Sequence, residues 1–497
     1  MCPRIFSRPE REARDAPQEQ ELRPTEMSGA AQIDTTLVVE QVPMPAYEAV
    51  RRLLDLPRPV FLDNGLGDGR AVRYSYLTAD PFLVIRSRGR HVEVADPDGQ
   101  TVLEDDPFET LRHLLSDYHV EPLQHLPPFV GGAVGYFGYD LGRLLERLPE
   151  INAPDGLLPE MDIGFYDWAL ATDHLTGENW LMATGLPTGN RASARRRIAA
   201  VRERLTGPPV EQKEPRSRDI LRLRSNFSRN EYIEAVRRVK EYIAAGDVYQ
   251  VNLSHRLEAE WSGSVWPLYE RLRATSPAPH GAYLDLGDVA VLSASPERFL
   301  RLNGDEVQTR PIKGTRPRSR TPEEDKALGE ELLSSEKDRA ENLMIVDLLR
   351  NDLGKVCRIG SVRTPELFGL EGYASVWHLV STVHGELRPE LDGVDLLKAC
   401  FPGGSITGAP KIRAMEIIEE LEPVRRGIYC GAIGYISFTG AMDTSIAIRT
   451  LVLKDDRVHL QVGGGIVADS DPEAEYEETI SKGRSLLSAL GADLETR

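Results

Sequence analysis

Cysteine is scarce in this sequence. The 497 residues include four cysteines, Cys2, Cys357, Cys400 and Cys430, and no two of them have Cys-x-x-Cys spacing. This argues against a disulfide scaffold and against a cysteine-based zinc site. We therefore expect reduced and mostly buried thiols.

Long apolar runs and an excess of positive charge are also missing. No stretch reaches the roughly 18 apolar residues that a membrane helix needs. The N-terminus has no apolar core of a secretory signal, and its five arginines are outnumbered by six acidic residues. We expect residues 1–27 to form a disordered tail, with Met27 as an alternative start. The net charge of −18, from 60 basic and 78 acidic residues, disfavours nucleic acid and anionic lipid as partners and favours a soluble cytoplasmic protein.

What the sequence does have is the composition of a globular protein. Hydrophobic residues make up 41% and charged residues 28% of the chain. The polar, proline-bearing stretch GPPVEQKEPRSRD (207–219) is the strongest candidate boundary. We predict an N-terminal region at 28–206, a linker at 207–225 and a second region at 226–492.

Apolar periodicity indicates both helices and strands. Residues 33–64 predict strand, helix and strand, residues 190–205 predict a helix, and a further helix should end at Gly246. Residues 322–353 predict one long helix, and the strands cluster in meanders of short segments. This mixed order favours an α+β fold with a large antiparallel sheet.

Two pairs of acidic residues lie on predicted helices. Asp338 and Glu341 are three residues apart, as are Glu475 and Glu478, so each pair shares one helix face. If the two helices converge, oxygen ligands without His or Cys favour Mg²⁺ over zinc. A solvated charged face is the alternative.

Two glycine-rich runs could bind anions. FPGGSITGAPK (401–411) and QVGGGIVADS (461–470) offer backbone N–H groups to carboxylates or phosphates. Neither run matches a Walker A or Rossmann pattern. A tight turn or a bulge is the alternative for each.

Three single residues are candidates for catalysis. Lys313 lies where a strand would be buried, and a desolvated lysine can act as a nucleophile. Glu297 follows Ser-Pro at a strand bend and can act as a general acid if its pKa is raised. His378 lies among apolar residues. Each has a structural alternative: a surface lysine, a turn carboxylate paired with an arginine, and a core histidine.

In their order along the chain, these motifs resemble those of the chorismate-utilising enzymes. The resembling segments run almost without a gap from 226 to 492 and include AGDVYQVNLS, SASPERF, PIKGTRPR, KDRAENLMIVDLLRND, WHLVSTVHGEL, GGSITGAPK, GIYCGAIGY, DTSIAIRT and VGGGIVADSDPEAEYEET. The N-terminal region, with FVGGAVGYFGYD, is similar to the companion region of anthranilate synthase and aminodeoxychorismate synthase large subunits. The resemblance implies an α+β fold, a two-part sandwich of large antiparallel sheets with outer helices and a central active-site cleft.

The resemblance also implies how the substrate is held. Glu341 and Glu478 are expected to bind Mg²⁺, with Asp338 and Glu475 in support. Chorismate carries two carboxylates. The groups expected to bind its ring carboxylate are the Mg²⁺, Lys482 and the backbone of Gly463, Gly464 and Gly465. The enolpyruvyl carboxylate is expected at Arg449, which suits bidentate pairing, and at Tyr429.

The remaining roles concern the reaction. The resemblance implies that Glu297 protonates the departing C4 hydroxyl and that His378 and Ser405 line the reacting face. Water-adding relatives have Lys where this chain has Gln250, and Gln cannot deprotonate water, so ammonia is the expected nucleophile. The relatives that aminate C4 have Lys at position 313, and anthranilate synthases have Ala. In the C4-aminating relatives, this lysine is implied to attack C2 before ammonia attacks C4.

The resemblance implies partners and leaves alternatives. A separate glutaminase subunit, a glutamine amidotransferase, should supply ammonia, and a separate aminodeoxychorismate lyase should act on the product in p-aminobenzoate and folate synthesis. Relatives often hold tryptophan in the N-terminal region, but their Leu-Leu-Glu-Ser stretch is Phe61-Leu62-Asp63-Asn64 here. That change argues against tryptophan, although Ser75 could still line such a pocket. The alternatives are an anthranilate synthase with an unusual lysine, an enzyme of an antibiotic pathway, and a non-catalytic regulator.

Overall fold

Two large sheets build the protein. The computed structural model describes residues 36–64, 72–123, 125–152, 156, 158–212, 221–373 and 376–494. The predicted tail at 1–27 lies outside these residues. Within the described ranges, no helix combines the length and the apolar character needed to cross a membrane.

The described residues form 25 strands. They are β1 Val38–Gln41, β2 Val60–Asp63, β3 Tyr74–Thr78, β4 Leu83–Arg88, β5 His91–Asp96, β6 Gly99–Glu104, β7 Gly132–Phe137, β8 Met161–Tyr166, β9 Trp168–Asp173, β10 Asn179–Ala183, β11 Leu221–Ser225, β12 Gln250–Glu260, β13 His280–Asp285, β14 Ala290–Ser295, β15 Arg298–Asn303, β16 Glu306–Arg310, β17 Ile312–Pro317, β18 Arg363–Gly372, β19 Val376–Glu386, β20 Gly408–Ala409, β21 Ala432–Ser437, β22 Met442–Ile446, β23 Thr450–Lys454, β24 Arg457–Ile466 and β25 Ala492–Leu494.

The described residues also form 11 α-helices and two short 3₁₀ turns, at Tyr139–Leu141 and Gly404–Ile406. The α-helices are α1 Ala46–Val50, α2 Pro107–Ser116, α3 Gly142–Leu145, α4 Arg191–Thr206, α5 Arg229–Ala245, α6 Val265–Thr275, α7 Pro322–Ser334, α8 Glu336–Gly354, α9 Gly393–Cys400, α10 Lys411–Leu421 and α11 Pro472–Leu490.

Both sheets contain strands from each end of the chain. The first runs β1-β10-β9-β3-β2-β13-β14-β23-β24-β12-β11-β25, with β20 paired to β12. The second runs β17-β19-β16-β15-β22-β21-β7-β8-β4-β5-β6, with β18 paired to β19. The predicted regions 28–206 and 226–492 meet where β2 pairs with β13 and β7 pairs with β21. The described residues from Thr36 onward consequently form one compact unit.

Alternate side chains along the strands point to two different hydrophobic cores, one between the sheets and one beneath the outer helices. Leu62 and Tyr76 join the core between the sheets, and their neighbours Phe61 and Leu77 pack with the outer helices. Successive residues of a strand point to opposite faces, so both faces of the first sheet are covered. The predicted α+β sandwich of antiparallel sheets with outer helices is confirmed, with β11 and β25 as a parallel pair.

Two local predictions differ from the structure. The predicted single helix over 322–353 is wrong, because it is interrupted at Ser335, which has extended backbone angles and whose side chain accepts a hydrogen bond from the N–H of Asp338. A serine favours this capping position over a helix interior. The predicted linker ends early, since Leu221–Ser225 is strand β11, with Leu223 buried in the outer core.

Candidate active site

Lys313, Glu297 and Ser405 lie together between the sheets, and Glu297 and Ser405 are buried whereas Lys313 is half-buried. Lys313 is on β17, Glu297 lies in the bend between β14 and β15, and Ser405 is in the loop 401–410 before α10. The Nζ atom of Lys313 donates to the Ser405 carbonyl at 2.9 Å. The Ser405 side chain lies near enough to the Glu297 carboxyl to lower its pKa. The sequence placed these three residues up to 108 positions apart, and the fold joins them.

Burial shifts the acidity of both ionisable groups in this trio. Glu297 is 6% exposed, and its burial raises its pKa to about 7, although Ser405, Lys313 and Ile312 partly oppose the shift. Burial lowers the pKa of Lys313, and the charges of Glu297 and Glu341 oppose that shift. A carboxyl group that keeps its proton near neutral pH can act as an acid, and a lysine with a lowered pKa can act as a nucleophile.

The glycine run of β24 is paired with β12 in the first sheet. Gly463 is opposite Ser254, and Gly465 is opposite Asn252. A Cβ atom on Gly463 would lie 2.5 Å from the Leu253 carbonyl oxygen. A Cβ atom on Gly464 would be 3.6 Å from Lys482 Nζ, which also donates to the Gly463 carbonyl. The glycines leave this stretch of β24 without side chains of its own and with Lys482 beside it, and anion binding there stays a prediction.

Gln250, the first residue of β12, is fully buried with an unpaired side-chain amide. Its Nε2 would lie 2.1 Å from a Cβ atom on Gly465. Among the described residues neither Nε2 nor Oε1 has a hydrogen-bond partner. An unpaired buried amide costs about 1–3 kcal/mol, so this group is suited to a ligand.

Arg449, His378 and Tyr429 complete this part of the site. Burial lowers the pKa of Arg449, and no acidic side chain in the described ranges forms an ion pair with it. His378 hydrogen bonds through Nδ1 to Thr315 Oγ1 at 2.9 Å, and burial together with the Arg449 charge lowers its pKa to about 3. The hydroxyl of Tyr429 would be 2.9 Å from a Cβ atom on Gly463. A neutral histidine and an unpaired arginine leave positive charge for an anionic ligand.

The four predicted acidic residues lie on α8 and α11 but do not form one cluster. Among the described residues, no group of three or more His, Cys, Asp or Glu side chains is arranged to hold a metal. Asp338 pairs with Arg316 at 3.1 Å, and Glu475 accepts from Ser470 Oγ at 2.5 Å. These two carboxylates are therefore engaged elsewhere.

Glu341 and Glu478 are the remaining predicted ligands that could hold a Mg²⁺ ion. Burial raises the pKa of Glu341, and the charges of Asp338 and Glu478 raise it further. Burial would also raise the pKa of Glu478, but Lys482, at 2.7 Å, outweighs it and the pKa is lowered. Mg²⁺ commonly uses one or two carboxylates and completes its shell with water and substrate. Two neighbouring carboxylates of like charge match that requirement.

Sequence reasoning missed the residues that hold the loop 401–410. Lys411 pairs with the buried Asp352 at 2.6 Å and donates to the Cys400 carbonyl at 2.9 Å. Asn252 donates from its side chain to the Ser405 carbonyl at 3.3 Å. Asn252 is two residues after Gln250 on one strand, so period-two alternation places both on the same face and could have identified it.

The predicted tryptophan position is packed on one side only, because Asn64 also lines a cavity of about 720 Å³ together with Tyr74 and Tyr76. Asp63 pairs with Arg273 and accepts from the Tyr269 hydroxyl at 3.1 Å. A cavity beside Asn64 and His280 has a volume of about 30 Å³. That is about the space of one water molecule. Ser75 accepts from the Asn64 N–H at 3.0 Å instead of lining an open pocket. Tryptophan binding stays a prediction.

Comparison with known proteins gives a consistent family. Residues 69–488 match the family described as chorismate binding enzyme. The chain is 46% identical over 440 residues to aminodeoxychorismate synthase component 1 of Escherichia coli strain K12, covering 88% of this chain and 94% of that protein. It is 41% identical over 440 residues to anthranilate synthase component 1 of Acetivibrio thermocellus, covering 86% and 89%.

The fold is also similar to a solved structure. Anthranilate synthase component I of Streptococcus pneumoniae TIGR4 superposes with a TM-score of 0.76 at 35% identity, covering 84% of this chain and 92% of that one. The fold and the family agree, and the similarity extends to two proteins with different names.

Proposed function

The chain belongs to the family of chorismate-binding enzymes, and from this premise we propose that it aminates chorismate at C4 to give 4-amino-4-deoxychorismate. The observation that carries the proposal is the placement of Lys313. This half-buried amine lies beside an acid, Glu297, and its Nζ is hydrogen bonded to a backbone carbonyl. The 46% identity to a protein named aminodeoxychorismate synthase component 1 supports the same choice.

In the first step, the neutral amine of Lys313 attacks C2 of chorismate. The C1–C2 and C5–C6 double bonds shift to C1–C6 and C4–C5, and the C4 hydroxyl leaves. Glu297 donates the proton that makes this leaving group water, so the carboxyl becomes a carboxylate. Lys313 is then bound to C2 through a positively charged secondary amine.

In the second step, ammonia attacks C4. The double bonds return to C1–C2 and C5–C6, and the bonding pair between C2 and Lys313 leaves with the lysine as a neutral amine. The new ammonium group at C4 gives one proton to Glu297, which restores the acid. The sum is chorismate plus ammonia giving the 4-amino product plus water. An Ala at position 313 would leave C2 open to ammonia.

The remaining site residues hold the substrate. Arg449 has no acidic partner among the described residues, and its guanidinium suits bidentate binding of the enolpyruvyl carboxylate, with Tyr429 beside it. The bare backbone of Gly463–Gly465 and Lys482 suit the ring carboxylate. The unpaired amide of Gln250 faces the same space. Neutral His378 lines the reacting face without adding a charge.

Glu341 and Glu478 would hold a Mg²⁺ ion in this proposal. When bound, Mg²⁺ would neutralise the ring carboxylate and draw electron density from the ring, which favours loss of the C4 hydroxyl. Asp338 and Glu475 would support the ion through water, because both already have protein partners.

The proposal includes partners. The words "component 1" in the names of the relatives suggest a second subunit, and we assign to it the role of a glutamine amidotransferase that supplies ammonia. The 4-amino product still carries its enolpyruvyl group, so a downstream aminodeoxychorismate lyase would release pyruvate and give p-aminobenzoate for folate in the cytoplasm. Tryptophan remains a candidate ligand of the N-terminal region.

A product assay tests this function. The purified chain is incubated with chorismate, Mg²⁺ and ammonium, with and without an aminodeoxychorismate lyase, beside Lys313→Ala. We expect p-aminobenzoate only when the lyase is present, and a shift toward amination at C2 in the variant. Anthranilate from the unchanged protein without the lyase would refute C4 amination and assign the chain to the activity named for its 41% identical relative.

A further inference from the structure

Three consecutive backbone carbonyls next to Lys313 are each fixed by a hydrogen bond. The Ser405 carbonyl accepts from Lys313 Nζ at 2.9 Å and from Asn252 Nδ2 at 3.3 Å. The Thr407 carbonyl accepts from the Asn252 N–H at 2.8 Å. The Ile406 carbonyl accepts from Arg426 Nη1 at 3.1 Å. The Ser405 carbonyl, which binds the lysine, thus belongs to the segment 405–407, in which each carbonyl accepts a hydrogen bond.

Arg426 links the segment 405–407 to strand β12. Its Nη2 donates to the Asn252 carbonyl at 2.8 Å, so one guanidinium holds both the loop and the strand that carries Asn252. Arg426 is 4% exposed and forms an ion pair with the buried Glu422 at 2.6 Å. Glu422 accepts two further hydrogen bonds, from the N–H of Ser254 at 2.9 Å and its hydroxyl at 2.7 Å.

We propose that Arg426 is a positioning residue for Lys313. Together with Asn252, it fixes the Ser405 carbonyl at the place where that carbonyl aims the lysine amine at C2 of the substrate. The inference rests on the proposed function and adds the residues that make Lys313 effective. A planar guanidinium serves Glu422, Ile406 and Asn252 at once, and a lysine ammonium cannot reproduce that fork.

The experiment isolates the step that Lys313 performs. With ammonium left out, chorismate and Mg²⁺ should give a covalent adduct on Lys313 with the mass of chorismate less one water. Rapid quenching and mass spectrometry measure its rate, and calorimetry measures the dissociation constant of chorismate. We expect Arg426→Lys and Asn252→Ala to slow adduct formation at least about tenfold, since small misplacements of reacting groups cost up to about 10²-fold. Chorismate affinity should stay within about threefold.

Arg58→Lys is the matched control. Arg58 also pairs with a buried carboxylate, that of Asp162, and donates to a backbone carbonyl, that of Leu286 at 2.6 Å, but none of these partners belongs to the loop 401–410. Its adduct rate should equal that of the unchanged protein. If Arg426→Lys does not fold, Asn252→Ala still tests whether the position of the Ser405 carbonyl matters. This variant removes only the side-chain hydrogen bond to that carbonyl.

Each outcome separates the two proposals. Slower adduct formation at retained affinity supports the positioning role. An unchanged adduct rate in both variants overturns the positioning role of Arg426 but not the proposed function. A loss of rate matched by an equal loss of chorismate affinity has the same meaning. No adduct in the unchanged protein overturns both.

Discussion

Replacing Lys411 by methionine tests how the loop 401–410 is attached to the rest of the protein. Lys411 follows that loop at the start of α10 and pairs with Asp352 on α8. The side chains of Asp352 and Lys411 are 1% and 10% exposed. Methionine keeps the apolar stem of the lysine and removes only its charge and its donors.

The expected loss follows from the partners that remain. Removing one member of a buried ion pair costs about 3–5 kcal/mol, because the other charge stays buried. Lys355 still reaches Asp352 at 2.9 Å, but its side chain is 50% exposed. An exposed partner of that kind returns about 0–1 kcal/mol. We therefore expect Lys411→Met to lower the free energy of unfolding by about 2–5 kcal/mol.

Denaturant titration followed by circular dichroism measures this loss. Lys355→Met is the control, since it removes a charge from the same aspartate at a half-exposed position, and it should cost less than about 1 kcal/mol. Turnover of chorismate should fall more in Lys411→Met than in the control, because Lys411 also holds the Cys400 carbonyl at the start of the loop. Equal stability of the two variants would refute the assignment of Lys411 as the anchor.

Three further predictions concern the site itself. Gly463→Ala should lower the thermal midpoint and weaken chorismate binding at least about tenfold in calorimetry, because its Cβ would lie 2.5 Å from a backbone oxygen. Gly464→Ala, whose nearest atoms are side-chain ends at 3.3 Å or more, is its control and should change both less. Glu297→Gln should slow adduct formation by about 10²–10⁴-fold and remove the limb near pH 7 from its pH–rate profile, where the raised pKa of Glu297 places it; a limb that persists would mean that another group titrates there. Arg449→Lys should raise the KM for chorismate more than it lowers kcat in steady-state assays, since lysine cannot bind a carboxylate bidentately; an unchanged KM would remove Arg449 from substrate binding.

The sequence alone predicted much of the fold, because periodicity is a local property. The strand, helix and strand over 33–64 are present, and α5 ends at Gly246 in a left-handed conformation that suits glycine. The interruption at Ser335 was missed because the polar stretch between Leu333 and Ala340 contains no proline or glycine to mark a break. A serine that caps a new helix differs from a serine inside one only in its backbone angles.

For the candidate site, the sequence pointed to some residues and missed others. Lys313 and Glu297, which the sequence singled out separately, lie near each other in the structure, and their roles stay predictions. Lys411 was considered only as part of a glycine-rich run, and its role depends on Asp352, 59 positions away. Arg426 was missed because an arginine that holds two backbone carbonyls looks no different in sequence from one on the surface. Contacts of this kind follow from register and packing, which local patterns do not encode.

The interleaving of the two sheets governs the order in which this chain can fold. On the ribosome, β2 emerges early but must wait for β13, and β7 must wait for β21. The first sheet is complete only when β25, which follows α11, pairs with β11. Pairings between distant segments make folding slow and leave strand edges exposed until it is finished. A nascent chain of this protein therefore cannot complete the pairing of its early strands before the later ones emerge, and chaperones would have to shield the early strands until then.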